Sequence, residues 1–353
     1  MPYTLPERLQ NAKPYSYQKD GYKCRLDINE SYIQPPQAVR EAIAKRIAEL
    51  PLTEYPESYA EGVRGLLAAR YGVDREEIVV SNGSDELISM VIGRFLRPGD
   101  VILTTVMDFG GYQACADIYG QTICFIERDA DMFWSADQMI AAIAEHRPQM
   151  VIFSTPSNPV GRVMPRGEVL RILDAARDCL VLVDEAYMDF AAGESVVNCI
   201  NQYDNLIILK TLSKAYGLAG IRIGFSFANK TLSRALHAVR DVYNVSSMSQ
   251  IAAEEVLKCP EHLSSSIADM RRTISRMYEG LSKLAETKSD IIRVYPTDAN
   301  FLLMRFKDAP TVRAAVSERG YALRLFKDNL VRISAANEEN TEELLQLFDE
   351  ILK

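Results

Sequence analysis

A lysine stands in a short polar turn between two apolar runs. Residues 206–209 lead into Lys210-Thr211-Leu212-Ser213-Lys214-Ala215-Tyr216-Gly217, and a lone arginine, Arg222, follows within the second run. An amine at a strand end condenses readily with an aldehyde, while the hydroxyls of Thr211 and Ser213 and a guanidinium can hold a phosphate. The turn therefore suits a ligand that carries both groups.

Three other segments carry matching chemistry. Asn82-Gly83-Ser84-Asp85-Glu86 follows an apolar run; Gly and Ser there suit either a phosphate at a helix amino end or an ordinary N-cap with an acidic first turn. Ser154-Thr155-Pro156-Ser157-Asn158-Pro159-Val160-Gly161 reads either as a loop of turn formers or as a loop that points Asn158 at a ligand. Leu180-Val181-Leu182-Val183-Asp184-Glu185-Ala186-Tyr187 ends a buried run in a carboxylate. That anion is either solvated or matched to a pyridinium nitrogen, with Tyr187 in reach of a phenolic oxygen. Asn158, Asp184, Tyr187, Lys214 and Arg222 each lie just past or within successive apolar runs. Together they supply what pyridoxal 5′-phosphate (PLP) requires: an amine for its aldehyde, a counter-ion, ring-oxygen donors and a phosphate clamp.

The elements that must position these groups alternate in type. Strand-like runs at 78–81, 101–104, 122–126, 150–153, 180–183, 206–209 and 221–225 are continuously apolar, as expected for strands buried on both faces of a mostly parallel sheet. Helical stretches at 85–95, 112–119, 135–145 and 165–178 separate several of them, which predicts an α/β sandwich with ligands at the carboxyl ends of the strands. Beyond residue 227 the pattern changes to long amphipathic helices at 229–243, 249–258 and 267–287. Short strands at 291–294, 300–304 and 330–333 and helices at 310–319 and 341–352 then predict a smaller α+β domain.

Gross composition excludes several classes. A chain of 353 residues with 48% hydrophobic content is long enough for two domains. The net charge of −8 provides no basic footprint for nucleic acid or an anionic membrane. Six scattered cysteines show no metal spacing and read as small buried hydrophobes. The three histidines, His146, His237 and His262, are unpaired at metal spacing, which argues against a zinc hydrolase or a histidine triad. The start, Met1-Pro2-Tyr3-Thr4-Leu5-Pro6, lacks signal-peptide character and no apolar run reaches about 18 residues, so a cytoplasmic protein is expected.

These segments resemble the fold-type I PLP-dependent aminotransferases of the aspartate aminotransferase superfamily, and within it the histidinol-phosphate aminotransferase family. The likeness also rests on Leu26-Asp27-Ile28-Asn29-Glu30, Tyr55-Pro56-Glu57, Gly220-Ile221-Arg222-Ile223-Gly224, Ala299-Asn300-Phe301 and Val331-Arg332-Ile333-Ser334, and covers nearly the whole chain. It implies a seven-stranded, mostly parallel sheet sandwiched by helices, with a smaller α+β C-terminal domain. The domains would be an arm at 1–29 joining the small domain, a large PLP-binding domain at 30–265 and the small domain at 266–353. Lys214 would form the Schiff base and shuttle a proton, Asp184 would pair with the pyridine nitrogen, and Asn158 and Tyr187 would bind the ring oxygen. Gly83, Ser84, Asp85, Thr211, Ser213 and Arg222 would line the phosphate site, and Phe109 would stack on the ring. Arg332 would take the substrate α-carboxylate, with Asn29 and Arg324 on the substrate side and no metal. Tyr55 would reach the phosphate of a neighbouring subunit, which implies a homodimer.

The chain departs from the family in places. Asn158-Pro159-Val160-Gly161 replaces the usual Asn-Pro-Thr-Gly, and Val106-Met107-Asp108-Phe109-Gly110-Gly111-Tyr112 lacks the usual Pro-Thr before the aromatic. The implied reaction moves an amino group from histidinol phosphate to 2-oxoglutarate in histidine biosynthesis. The alternatives are an aromatic amino-acid aminotransferase and a phosphothreonine decarboxylase-like lyase. A PLP-binding regulator is disfavoured, because no room precedes Leu26 for a DNA-binding module.

Overall fold

The computed structural model describes residues 3–6, 10 and 21–353. Most of the expected arm at 1–29 therefore lies outside the described residues. Strand β1 (Cys24–Leu26) is followed by helices α1 (Gln37–Ala48) and α2 (Glu61–Tyr71) and strand β2 (Ile78–Ser81). The alternating region holds α3 (Ser84–Phe95), β3 (Val101–Thr105), α4 (Gly111–Tyr119), β4 (Thr122–Ile126), α5 (Ala136–His146), β5 (Met150–Ser154), α6 (Arg166–Ala175) and β6 (Leu180–Asp184). Next come β7 (Leu206–Thr211), β8 (Gly224–Phe227), α7 (Lys230–Val239), α8 (Ser247–Leu257) and the long α9 (Pro260–Ala285). The chain closes with β9 (Ile291–Val294), β10 (Phe301–Phe306), α10 (Ala309–Glu318), β11 (Tyr321–Leu325), β12 (Leu330–Ser334) and α11 (Glu338–Ile351).

Seven strands form one sheet in the order β2-β8-β7-β6-β5-β3-β4. The β4/β3, β3/β5, β5/β6 and β6/β7 pairs are parallel, and β8 runs antiparallel to both β7 and β2. Strands β5 and β7 are buried at every residue, the signature of a sheet covered on both faces. Successive residues alternate between its two sides. Val181 and Ile208 face a core that continues to Phe301 and Val331 of the second sheet, whereas Leu182 and Leu209 face the helices α3 and α4. That second sheet has five strands in the order β1-β11-β12-β10-β9, with β1 parallel to β11 and the remaining pairs antiparallel.

The structure corrects several expected boundaries. The run 221–225 is not a strand from its start: Ala219–Ile221 is a 3-10 turn and Arg222 sits in the left-handed region at φ 58°, so extension begins only at Gly224. Strand β4 is a sheet edge and not a doubly covered strand, with Phe125 48% exposed. Helix α7 stops at Val239 because Arg240 turns extended, and α9 begins seven residues before the expected start, with Pro260 at its first position.

Candidate active site

The carboxyl ends of β3, β5, β6 and β7 open on one side of the large sheet, and each delivers a functional loop. The turn after β7 carries Lys214, half-buried, whose Nζ donates to the Ile28 carbonyl at 3.1 Å and lies 5.8 Å from the centroid of the Tyr187 ring. Thr211 and Ser213 are held in this turn by their own backbone: Thr211 Oγ1 donates to the Ile223 carbonyl at 3.2 Å and accepts from Ser213 N at 3.1 Å.

Asp184 ends β6. It is 5% exposed, and its oxygens accept from the Tyr112 hydroxyl at 2.8 Å and from Ala186 N at 3.0 Å. A phenol and a backbone N–H solvate a carboxylate poorly, so burial pushes its pKa up to about 6 against these two hydrogen bonds. Burial likewise raises Tyr112 well above the ordinary phenol value, and the charge of Asp184 raises it further. Tyr187 is buried and accepts from Asn29 Nδ2 at 2.9 Å, and Phe301 meets its ring edge-on with centroids 4.9 Å apart.

After β2, the chain enters α3 through Gly83 at φ 82°, a conformation that favours glycine. No side chain caps this helix, so its first-turn N–H groups face outward beside Arg222. The approach is tight: a Cβ on Gly83 would meet Arg222 Nη2 at 2.4 Å, and one on Gly224 would meet Ser84 N at 2.2 Å. Arg222 Nη1 donates to Ser213 Oγ at 3.4 Å, and Nη2 lies 3.3 Å from Asp85 Oδ2. A helix amino end, two hydroxyls and a guanidinium thus converge between β2, β7 and β8. This is the chemistry of a phosphate site.

Arg332, in β12, reaches across from the second sheet. It donates from Nη1 to Asn158 Oδ1 at 2.5 Å and from Nη2 to the Asp27 carbonyl at 2.6 Å. Arg324 is its direct cross-strand partner in β11, and the two guanidiniums lie 6.0 Å (Arg324) and 5.8 Å (Arg332) from the Phe326 ring. Asn29 is buried, and its amide is engaged by Tyr187 and by Ser334 Oγ at 2.9 Å. It braces Tyr187 from below.

Phe109 is half-buried beside Tyr112, edge to face at 5.5 Å. Tyr55 shares a recess with Asn82, the residue before Gly83. It is 79% exposed and lies flat on Tyr243 with centroids 4.6 Å apart, and Ser249 lines the same recess. Sequence reasoning named Tyr112 only in passing and assigned no role to Ser334 or Ser154. Their signal was faint: Tyr112 stands one helical turn after Phe109, and Ser334 two strand positions after Arg332.

Among the described residues no helix is long and apolar enough to cross a membrane, and no cluster of histidine, cysteine and acidic side chains is arranged to hold a metal. Comparison with known proteins agrees with the geometry. The chain is 36% identical to the histidinol-phosphate aminotransferase of Ruminiclostridium cellulolyticum over 97% of its length and 96% of that protein's. It is 34% identical to that of Clostridium novyi, covering 96% and 94% of the two chains. The crystal structure of histidinol-phosphate aminotransferase from Sinorhizobium meliloti in complex with pyridoxal-5′-phosphate shares the fold at a TM-score of 0.88 and 20% identity, over 98% of this chain and 96% of that one. The profile of the family Aminotransferase class I and II matches residues 22–348, and the chain belongs to that family.

Proposed function

We propose that this enzyme uses PLP to move the amino group of histidinol phosphate to 2-oxoglutarate. The observation that carries the reading is the convergence of Lys214, Asp184 and the Gly83–Arg222 cradle at adjoining strand ends, in a chain whose full-length relatives are histidinol-phosphate aminotransferases. The residues fit the cofactor. The buried carboxylate of Asp184, destabilised by its own desolvation, gains a cation when a pyridinium stands against it. Arg222 approaches Gly83 too closely for a Cβ, which sets its guanidinium beside a helix amino end that no side chain caps.

When bound, PLP supplies an aldehyde and an electron-withdrawing ring. This chain's residues would do the rest. Lys214 holds the cofactor through Nζ and moves the proton at the substrate Cα. Asp184 keeps the pyridine nitrogen protonated. Asn158 has its carbonyl end committed to Arg332, so its amide NH2 is the end that donates to the ring oxygen, beside Tyr187. Ser84, Thr211, Ser213 and Arg222 bind the phosphate, with Asp85 orienting Arg222. Phe109 would stack on the ring face. Arg332 takes the amino-acid carboxylate, and Arg324, its cross-strand neighbour, takes the distal anion of the substrate.

A homodimer follows from the same reading. Leu52, Tyr55, Val242, Tyr243 and Met248 are exposed apolar side chains, and Tyr55 shares its recess with Asn82. Burying them against a second copy would bring Tyr55 to the partner's phosphate. Sedimentation should find a dimer, and Tyr55→Ala should weaken PLP binding; a monomer with full activity would remove this part of the reading. The large domain at 30–265 and the small one at 266–353 are proposed as the units that enclose the substrate.

The deciding experiment is a panel of amino donors with 2-oxoglutarate, scored for glutamate and for CO2. Histidinol phosphate should give the highest kcat/KM with no CO2. A preference for aromatic amino acids, or CO2 release from phosphothreonine, would replace it with one of the two alternatives.

A further inference from the structure

Beneath the ring-oxygen loop lies a carboxylate that the reaction does not use. The side chain of Asp108 is 2% exposed, and that of Arg128, at the end of β4, is 3% exposed. Asp108 Oδ1 accepts from Ser154 Oγ and, at 2.8 Å, from Phe109 N. Its Oδ2 accepts from Ser154 N and from Thr105 Oγ1, both at 3.2 Å. Ser154 Oγ in turn accepts from Asn158 N at 3.1 Å. Arg128 stands 3.9 Å from Asp108 and braces the same turn, donating to Thr105 Oγ1 at 2.8 Å, to the Val106 carbonyl at 2.7 Å and to the Met132 carbonyl at 3.1 Å.

One buried carboxylate thus ties together the exits of β3, β4 and β5. Met107, left-handed at φ 57°, bends the chain so that Asp108 folds back under the loop. Burial raises its pKa, and the facing Arg128 and the four donors act against that rise. A loop that needed only to be filled could be packed with apolar side chains at lower cost. What the carboxylate provides instead is direction: it holds Phe109 N directly, and it holds Ser154 by backbone and hydroxyl, the hydroxyl relaying to Asn158 N.

We propose that Asp108 is a positioning residue that sets Phe109 directly, and Asn158 through Ser154, against the PLP ring. This rests on the reading of Asn158 as the ring-oxygen donor, and the test separates the two. Ser154→Ala removes the relay without changing charge, Ser154→Thr keeps the hydroxyl, and Asp108→Asn keeps one acceptor while losing the other. Each is reconstituted with PLP, and two quantities are read: the dissociation constant of PLP and the pH midpoint of the bound cofactor's visible absorbance, which responds to hydrogen bonding at the ring oxygen.

Ser154→Ala and Asp108→Asn should each weaken PLP binding about tenfold, the double variant no more than either, as expected for groups acting in one chain. Ser154→Ala should raise the midpoint by about half a unit, Asn158→Ala by more, and the two together by no more than Asn158→Ala alone. Ser154→Thr should stay within about twofold of the native affinity. A Ser154→Ala protein with a lower melting temperature but native affinity and midpoint would overturn the proposal and leave Asp108 a loop staple. Additive shifts would overturn it as well. An unmoved midpoint in Asn158→Ala would remove the ring-oxygen reading and this proposal with it.

Discussion

Arg332 and Asn158 join the two sheets of this enzyme through one hydrogen bond of 2.5 Å, guanidinium to amide carbonyl. The same guanidinium holds the Asp27 carbonyl where the chain leaves β1. The proposed substrate clamp and the proposed ring-oxygen donor are therefore one mechanical unit. Arg332→Lys should lower kcat/KM for amino-acid donors roughly a hundred- to thousandfold, because an ammonium cannot serve Asn158, Asp27 and a carboxylate in one plane. Initial-rate kinetics check the loss, and the absorbance of bound PLP should change as well. A clamp that acted on substrate alone would leave that spectrum unchanged.

Lys214 is the only proposed contact to the cofactor that is covalent in kind. Lys214→Ala should therefore reduce turnover by about ten thousandfold or more, near the top of the range for a lost acid–base group. It should also let PLP be removed by simple gel filtration, whereas the native protein should retain it. With both proteins free of PLP, the melting temperature should change little, since Lys214 Nζ donates to the Ile28 carbonyl from a half-buried setting.

The parallel strands were legible because a strand covered on both faces must be apolar throughout, and 150–154 and 206–211 are nearly so. The chemistry was legible because Asp184 and Lys214 interrupt or closely follow such runs, where a charge has no packing role. Arg222 was misplaced onto a strand for the same reason. Its apolar neighbours Ile221 and Ile223 mimic a strand, while the left-handed backbone that aims it at the phosphate site leaves no trace in residue type. Asp108 was invisible in a different way: an acidic residue in a turn is ordinary, and its burial arises only when Ser154 and Arg128 arrive from distant strands. Helix α1 escaped notice because its stripe, Val39, Ile43 and Ile47, is narrow and only partly buried, with Val39 and Ile43 packing at the edge of the core.

Lys210 supplies a test of the scaffold apart from the chemistry. Its Nζ lies 3.4 Å from Glu185 Oε2 and 3.5 Å from Asp189 Oδ1, with its side chain 2% exposed. Burial alone would lower its pKa, but Asp189 and Glu185 more than reverse that, so it stays charged. Lys210→Met would leave two carboxylates without their cation in the core and should cost about 3–5 kcal/mol of stability, read by denaturant unfolding. Adding Glu185→Gln should recover part of that loss, since the Gln oxygen can still accept from Val196 N while its NH2 donates to the Ser195 hydroxyl.

Asp184 should show opposite effects on stability and on turnover. Its folded pKa of about 6 exceeds the ordinary carboxylate value of 3.8, so the folded, PLP-free protein binds its proton more tightly than the unfolded chain does. Stability from this group is therefore lost as pH rises from about 4 to about 6, and the full penalty is present above that window. Asp184→Asn removes the penalty, since its single amide oxygen can still accept from Ala186 N while its NH2 donates to the Tyr112 hydroxyl, which can turn to accept. In PLP-free protein the variant should be more stable at pH 7.5 by up to about 3 kcal/mol, at 1.36 kcal/mol per pKa unit, and by less at pH 4.5. With PLP bound the order should reverse, because the neutral amide cannot pair with a pyridinium, and kcat should fall about a hundredfold or more. Unfolding curves at the two pH values, with and without PLP, decide it. A native-like response to pH in the PLP-free variant would mean that Asp184 does not carry the buried charge.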